Sequence, residues 1–488
     1  MQFHSPGFLL FFAAVLLVHH VLPLPWRAKK AALLGFSYLF YAAEHPPFVA
    51  LLAVSTVVDW FAAKGMHGAV TPGMRRFWLG LSLTSNLGML GYFKYGGFLI
   101  ENFVAAVHAL GWTGYEPGGT SILLPVGISF FTFQTLSYTI DVYRGNAPPW
   151  PSLLDFALYV SFFPQLVAGP IVRATDFLPQ LTAPRRADSG RFCWGLSLIV
   201  VGLFEKVALA DAFLGPAANA AFGAPGAEGA ADRLAAGYGF ADAWIGTLAF
   251  AGQIFCDFAG YSTCAIGVAM CLGFALPENF RFPYAAVGFS DFWRRWHISL
   301  SGWLRDYLYI PLGGNRGGRW FTLRNLALTM LLGGLWHGAA WTFLAWGGLH
   351  GALLIAERSL RSAPVARWSL WSRWYGELAL IAATFLAICV TWTFFRAGSF
   401  AQAAAMLEAM SGLNGVAPAT AVDWAVAGPA LAAVAGLLTV HYLRRHTTLE
   451  AAAAGWGWGW ISLSLVLMAL ATAFAPRPDD ATFIYFQF

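Results

Sequence analysis

The sequence predicts an all-α polytopic membrane protein, and its composition is the main reason. Hydrophobic residues make up 58% of the 488 residues and charged residues only 11%, whereas soluble domains carry about 25% charged residues. The mean hydropathy of +0.60 supports the same class. Apolar stretches recur along the whole chain, and we expect about 11 to 13 tilted helices, some of them re-entrant.

The apolar stretches are separated by short polar segments that are typical of loops outside the membrane rather than of linkers between domains. The stretches lie near residues 7–24, 31–43, 48–63, 77–93, 95–111, 121–140, 153–172, 192–213, 238–256, 258–276, 322–356, 376–395, 421–441 and 456–475. We therefore predict a single membrane domain over residues 1–488. Within it, residues 281–357 are the expected catalytic core, and residues 476–488 form an aromatic tail.

The first apolar stretch is expected to remain in the protein as a helix. No Lys or Arg precedes it, whereas Arg27, Lys29 and Lys30 follow it. A cleaved secretory signal carries its positive charges first, so this order predicts a retained helix with its N-terminus outside the cytoplasm. The net charge of +5 is accounted for by cytoplasmic loops and anionic lipid, and it requires no nucleic-acid partner.

His337 is the first candidate for a reactive residue, because it lies in a 32-residue run, 325–356, without Asp, Glu, Lys or Arg. A helix of that length would measure roughly 48 Å against a hydrocarbon core of about 30 Å, so we expect a break near Gly333, Gly334 and Gly338. Non-helical backbone at membrane depth is tolerated only beside protein or a water-filled cavity. The sequence thus predicts that His337 lines a cavity, where a neutral imidazole could act as a base.

The stretch 281–324 is the most polar part of the chain, with seven arginines and two acids. Its aromatic and leucine residues recur at three- and four-residue spacing, which predicts an interfacial amphipathic helix that starts at Ser290 or Asp291 and ends at Pro311. The arginines either anchor the chain in the membrane or bind a phosphorylated donor together with the glycine-rich loop that follows. The candidate donor-binding or tunnel residues are Arg294, Arg295, Arg305, Asn315 and Arg316, with Asp257 from an earlier stretch.

Two further histidines are assigned different roles. His297 lies on the predicted interfacial helix, where it is either an ordinary headgroup residue or a catalytic one. His350 follows His337 by thirteen residues, and on a continuous helix the two side chains would be about 140° apart. We therefore interpret His350 as structural.

Neither a metal nor a bound cofactor is predicted. The five cysteines form no Cys-x-x-Cys pair, and we interpret them as small core residues. The sequence contains neither a Gly-x-Ser-x-Gly elbow nor a His-Glu-x-x-His pattern, so nothing in it indicates a hydrolase serine or a zinc site. Glu205 and Lys206 are adjacent, point to different helix faces and are not expected to pair with each other.

Several segments resemble the membrane-bound O-acyltransferases, and in particular the bacterial branch that O-acetylates polysaccharides. The resemblance spans nearly the whole chain, and its motifs are long. They are Asp291-Phe-Trp-Arg-Arg-Trp-His297-Ile-Ser and its continuation to Arg316, Arg324-Asn325, and the segments 331–339, 91–95, 124–130, 140–145, 163–170, 257–261, 278–280 and 483–488. One departure lies at 260–264, where relatives often carry a second acid after the serine.

The resemblance implies a ring of tilted helices around a central tunnel and a multi-pass protein of the bacterial inner membrane. By this resemblance His337 is catalytic and His297 lies on the same acyl-transfer tunnel. The implied activity moves acetyl from a cytoplasmic donor, acetyl-CoA, towards an extracytoplasmic polysaccharide, with a periplasmic hydrolase-like partner that completes the transfer. Alginate-type O-acetylation is the first expectation, and O-acetylation of cellulose or peptidoglycan is the alternative.

The aromatic tail suggests an acyl relay. Small partner proteins of related D-alanyl transfer systems end in a similar tail whose tyrosine carries the acyl group, so Tyr485 is a possible relay here. The other interpretation is an aromatic anchor at the membrane surface. A competing class for the whole chain is a transporter or flippase for a polysaccharide precursor, which would be expected to show two related halves, and no internal repeat is evident.

Overall fold

The computed structural model describes residues 3–115, 122–223, 237–413, 422–476 and 483–484. Every regular element within these ranges is a helix, so the predicted all-α class is confirmed. Tyr485, the predicted acyl relay, lies outside the described residues.

The chain is divided into two compact units that alternate along the sequence. Unit 1 contains Met1–Leu196, Ala265–Pro277 and Gly338–Ala340, and unit 2 contains Ser197–Cys264, Glu278–His337 and Trp341–Phe488. The single membrane domain expected from the sequence stays a prediction.

Unit 1 is built mainly from the first eight helices. They are α1 (Pro6–Leu16), α2 (Trp26–Ala42), α3 (Phe48–Gly68), α4 (Pro72–Ala109), α5 (Ile128–Arg144), α6 (Leu153–Ser161), α7 (Phe163–Leu166) and α8 (Ala174–Phe177). Helices α3, α4 and α5 pack together around the buried Asp59 carboxylate, which accepts hydrogen bonds from Ser82 at 2.6 Å and from Asn86 at 2.8 Å. These bonds compensate for burying a carboxyl group among apolar helices.

Unit 2 carries the expected catalytic core. Helix α9 (Ser189–Leu203) leads into it and continues as a π-helix, Phe204–Leu214. The helices that follow are α10 (Gly215–Phe222), α11 (Phe240–Cys271), α12 (Phe289–Arg295), α13 (Ile298–Leu304), α14 (Arg319–His337), α15 (Trp341–Arg361), α16 (Trp374–Arg396), α17 (Phe400–Ser411), α18 (Trp424–Arg444), α19 (Leu449–Ala454) and α20 (Trp458–Phe474).

Five helical segments are long and apolar enough to cross a membrane. They are Phe48–Gly68, Ser189–Phe222, Phe240–Cys271, Trp374–Arg396 and Trp424–Arg444. Two shorter apolar helical segments, Pro6–Val21 and Trp458–Phe474, accompany them within the described ranges. The segments support a multi-pass membrane protein, while the count of about 11 to 13 crossings stays a prediction.

The single amphipathic helix predicted from Ser290 or Asp291 to Pro311 is wrong. The segment forms α12, which begins at Phe289, and α13, and it continues as a π-helical turn over Arg305–Tyr309. The two helices are separated at His297, where the backbone adopts the left-handed conformation with φ 43° and ψ 57°. Trp296, which fitted the apolar stripe, is fully buried. Periodicity alone predicted a continuous surface helix because a single-residue reversal barely disturbs the spacing of apolar residues.

The charge-free run breaks as expected, but only at one of the predicted places. Helix α14 ends at His337 and α15 begins at Trp341. Gly333 and Gly334 remain helical, and a Cβ added at Gly334 would meet the backbone of Gly347 on α15 at 2.9 Å. Small residues let helices approach closely, so Gly334 allows α14 and α15 to pack as an antiparallel pair rather than interrupting α14.

Candidate functional site

His337 is the last residue of α14, and aromatic rings surround its imidazole. The side chain is only 4% exposed. The imidazole centroid lies 5.0 Å from the rings of Trp336 and Trp346 and 5.4 Å from the ring of Phe395. These rings, from three consecutive helices, pack apolar surface around the imidazole of His337.

His297 lies in the break between α12 and α13 and is fully buried. A residue at the lipid headgroups of a surface helix would be exposed, so the burial of His297 argues against that interpretation. A left-handed backbone is uncommon for a residue other than glycine, and such conformations concentrate at functional sites. The His297 ring stands perpendicular to Phe258 at a centroid distance of 4.7 Å.

Asn279 determines how the His297 ring is protonated. Its Oδ1 lies 3.0 Å from His297 Nδ1 and accepts the hydroxyl of Ser299 at 2.9 Å and the Ser299 backbone N–H at 3.3 Å. Because a backbone N–H can only donate, the amide oxygen faces this group, and Nδ1 must also donate to it. The amide nitrogen donates to Ser262 at 3.1 Å. The His297 Nε2 atom therefore carries the lone pair that can accept a proton.

Burial keeps the His297 imidazole in its neutral form. His297 lies outside the candidate membrane spans, and desolvation lowers its pKa well below the usual value for histidine. The imidazole is thus neutral at physiological pH, and a neutral imidazole with a fixed tautomer is available as a proton acceptor.

Trp336 connects the two histidines. Its ring centroid lies 5.0 Å from that of His337 and 6.0 Å from that of His297. The structure therefore brings His297 and His337 together around one indole, and their sharing one catalytic site stays a prediction.

His350 is held separately on α15. Its Nε2 lies 3.0 Å from Thr391 Oγ1, and the Thr391 hydroxyl donates to the carbonyl of Ile388 at 2.7 Å. The hydroxyl oxygen therefore accepts from Nε2, which fixes the His350 tautomer. Trp346 lies between His350 and His337, with ring centroids 4.6 and 5.0 Å away.

The candidate donor-binding arginines differ in what they contact. Arg295 pairs with Asp291 at 2.9 Å and donates to the carbonyl of Arg445 at 2.8 Å. Arg305 pairs with Asp306 at 2.7 Å. Arg295 therefore joins α12 to the residue that follows α18, whereas Arg305 pairs with its neighbour in the sequence.

The glycine-rich loop, residues 313–318, and α12 carry the remaining candidates for donor binding. Arg294, Asn315 and Arg316 are exposed, and Asn315 Oδ1 accepts the Tyr309 hydroxyl at 2.6 Å. Gly317 and Gly318 adopt φ of 92° and 94°, a conformation that side chains rarely adopt. Arg316 is therefore an exposed side chain on a tight turn that needs glycine at positions 317 and 318.

Asp257 lies in a buried cluster with Lys206 and Asp211. One of its carboxylate oxygens lies 2.5 Å from Lys206 Nζ, and the other accepts the backbone N–H of Ile484 at 2.8 Å. Lys206 also contacts Asp211 at 2.8 Å, and the expectation that it does not pair with Glu205 stays a prediction. All these residues belong to unit 2, and the contact with Ile484 was not foreseen from the sequence.

Sequence reasoning missed Asn279, Phe258 and Trp336 as members of the site. Asn279 stood within a segment that matched the family, but nothing in the sequence pairs it with a histidine 18 residues away. Phe258 and Trp336 each adjoin a candidate residue and lie within the matching segments 257–261 and 331–339, and these were the available signals.

Comparisons with known proteins place this site in a family. The family model of the membrane-bound O-acyltransferases matches residues 146–396, which include both histidines. The probable alginate O-acetylase AlgI of Azotobacter vinelandii is 42% identical over 412 residues, which cover 84% of this chain and 78% of the relative. AlgI of Pseudomonas aeruginosa is also 42% identical over 412 residues, covering 84% of this chain and 75% of the relative.

A relative that is named for a different polymer is similar over much the same length. The peptidoglycan O-acetyltransferase of Helicobacter pylori is 37% identical over 409 residues, which cover 78% of this chain and 73% of the relative. The resemblance recognised in the sequence is thus confirmed. The chain belongs to the membrane-bound O-acyltransferase family, and it is a multi-pass membrane O-acetyltransferase.

Proposed function

We propose that this protein takes acetyl from cytoplasmic acetyl-CoA and delivers it, through a tunnel at the two histidines, towards hydroxyl groups of an extracytoplasmic polysaccharide. The observation that carries the proposal is the packing of His297 and His337 against the same indole ring, that of Trp336. In this proposal His337 is the general base and His297 is its partner on the acyl path. The protein resides in the bacterial inner membrane.

The chemistry needs few groups because a thioester is already activated. The acceptor oxygen attacks the carbonyl carbon, the C–S bond breaks, and coenzyme A leaves as a thiolate. The proton of the acceptor hydroxyl passes to the imidazole of His337 and then to the thiolate, so the histidine is regenerated. Positioning and proton transfer are the two contributions required of the protein, and the buried aromatic setting of His337 limits competing hydrolysis by water.

The exposed loop around Arg316 is the proposed binding site for the phosphates of coenzyme A. Arg294 and Arg305 supply further positive charge, and guanidinium groups bind phosphate oxygens with strong charge-assisted hydrogen bonds. Because Arg295 contacts Asp291 and Arg445, its role in this proposal is to hold α12 against the end of α18.

Replacing Arg316 by glutamine is expected to raise the KM for acetyl-CoA about tenfold and to leave kcat within about twofold. The reason is the loss of one charge-assisted hydrogen bond to phosphate, for which a tenfold change, about 1.4 kcal/mol, is a modest estimate. Steady-state kinetics with acetyl-CoA measure both constants. Arg76→Gln, a change at another exposed arginine, is the matched control, and an unchanged KM in Arg316→Gln would rule out this site.

Alginate is the first polymer to test, because relatives at 42% identity are named alginate O-acetylases. Cellulose and peptidoglycan are the alternatives, and a peptidoglycan O-acetyltransferase is among the relatives. A periplasmic hydrolase-like protein is the proposed partner that transfers acetyl to the sugar. Measuring ester-linked acetate in each isolated polymer, from cells with and without the gene, identifies the substrate as the polymer whose acetylation disappears.

Tyr485 is proposed as the residue that first accepts the acetyl group. The support is the sequence of the tail and the position of its neighbour Ile484, which is buried in unit 2 and bonded to Asp257. In this step the phenol oxygen of Tyr485 attacks the thioester carbonyl, the C–S bond breaks, and the phenol proton passes through His337 to the coenzyme A thiolate. In a second transfer an acceptor hydroxyl on the partner takes the acetyl group and its proton returns to the phenolate.

Tyr485→Phe is expected to reduce polymer acetylation to the background of a gene deletion while the protein still inserts into the membrane. The substitution removes only the hydroxyl oxygen that would carry the acetyl group. Ester-linked acetate on the polymer measures the effect, and Phe486→Tyr provides a matched change in the same tail. Wild-type acetylation in Tyr485→Phe would disprove the relay without affecting the proposed role of His337.

A further inference from the structure

A buried charge cluster in unit 2 has no role in the acyl-transfer step described above. It consists of Lys206 and Asp211 on the π-helix and Asp257 on α11, and all three side chains are at most 10% exposed. Burying charges is costly, and such groups within apolar segments usually serve a function.

The π-helix brings the lysine to both acids. Lys206 and Asp211 are five residues apart, which is the spacing that a π-helix places on one face, and their side chains meet at 2.8 Å. Gly260 lies where α11 crosses this segment, and a Cβ there would be 2.9 Å from the backbone nitrogen of Lys206. The small residue lets the two helices approach closely, so that Lys206 reaches Asp257 at 2.5 Å.

Asp257 uses its two oxygens for different partners. Oδ1 contacts Lys206, and Oδ2 accepts the Ile484 backbone N–H at 2.8 Å. The lysine compensates the carboxylate charge and orients the carboxylate, so that its second oxygen can bind the chain at Ile484. A hydrogen bond to a charged, buried acceptor is among the stronger bonds in proteins.

Neighbouring contacts support the same docking. Phe483 is 3% exposed and packs against Tyr261 and Phe258, with ring centroids 5.2 and 5.9 Å away. Phe258 in turn contacts the His297 ring at 4.7 Å. The anchored residues are therefore one aromatic ring removed from the histidine site.

We infer that Asp257, held by Lys206, is a positioning residue that clamps the backbone at Ile484 and keeps residues 483–484 docked beside the histidine site. Tyr485 follows Ile484 directly, so its Cα is about 3.8 Å from that of the clamped residue. The clamp itself depends only on contacts within unit 2. Its catalytic consequence, the alignment of Tyr485 for acetyl transfer, rests on the proposed function.

The clamp is tested by hydrogen–deuterium exchange of the full chain in detergent, followed by mass spectrometry of the peptide that contains Ile484. The Ile484 amide in wild type is expected to exchange at least tenfold more slowly than in Asp257→Ala. Asp211 remains beside Lys206 in this variant, so the lysine keeps one acidic partner. Asp211→Asn is the matched control, since it alters the same cluster without touching the bond to Ile484, and it should retain slow exchange.

Two outcomes would overturn the clamp: rapid exchange of the Ile484 amide in wild type, or equally fast exchange in Asp211→Asn and Asp257→Ala. If Asp257→Ala does not fold, Ile484→Pro removes the donor itself. The remaining amides of that peptide should then exchange at least tenfold faster than in wild type, and unchanged protection would contradict the clamp. Exchange is measured without any acyl donor, so the clamp is tested independently of acetyl transfer. If the Ile484 amide is protected but Tyr485 never acquires label, the relay is contradicted and the clamp is not.

Discussion

Replacing His337 by glutamine is expected to reduce acetyl transfer by about 10² to 10⁴-fold, the usual contribution of a positioned general base. Glutamine is similar in size to histidine and can form hydrogen bonds, but it cannot accept the proton of the acceptor hydroxyl. The aromatic shell of Trp336, Trp346 and Phe395 should tolerate its shape, so the loss should appear in kcat. The effect is measured as ester-linked acetate on the polymer in cells that carry the variant.

His350→Asn is the matched control for this substitution. His350 is also a buried histidine next to Trp346, and asparagine can still donate to Thr391. We expect acetylation within a few-fold of wild type in this variant, with equal amounts of protein in the membrane. A loss as large as that of His337→Gln would mean that disturbing this aromatic packing, rather than removing a base, explains both results.

Replacing Asn279 by leucine is expected to lower kcat by about 100-fold, because a small misplacement of a catalytic group has a cost of that order. Leucine has a similar size, but it can no longer accept from His297 Nδ1 or from Ser299. The tautomer and orientation of the His297 ring would then no longer be fixed. Initial rates with saturating acetyl-CoA measure the change in kcat.

The pH dependence of Asn279→Asp distinguishes positioning from a general loss of folding. An aspartate keeps an oxygen beside Nδ1, but its charge should raise the pKa of His297, which burial lowers in wild type. A raised pKa protonates the imidazole as pH falls, so the acidic limb of the pH–rate profile should move to higher pH. Ser262→Ala retains the bond between Asn279 and His297 and should keep the wild-type profile. An unmoved profile in Asn279→Asp would refute the positioning role.

Composition and motifs were enough to predict the fold class and to single out His297 and His337, whose catalytic roles stay predictions. The low charge content and the long apolar stretches indicate helices in a membrane, and the charge-free run singles out His337. The break after His337 was also foreseen, because Gly338 interrupts a run too long for one straight crossing.

The remaining features depend on contacts that sequence spacing does not encode. The interfacial helix was predicted as continuous because periodicity cannot register the left-handed backbone at His297. Gly334 was interpreted as a helix breaker, whereas it provides space for α15. Asn279, and the link between Asp257 and Ile484, join residues that are far apart in the chain, and no local pattern predicts such pairs.

In the proposed function, acetyl passes from a thioester donor through the site formed by His297 and His337. The decisive experiment incubates the purified full chain in detergent with isotope-labelled acetyl-CoA, with wild type and His337→Gln side by side, and then analyses the intact protein and its peptides by mass spectrometry. We expect label on the peptide that contains Tyr485 in wild type, together with release of free coenzyme A, and neither product in His337→Gln. Equal labelling or equal coenzyme A release in the two proteins would contradict it.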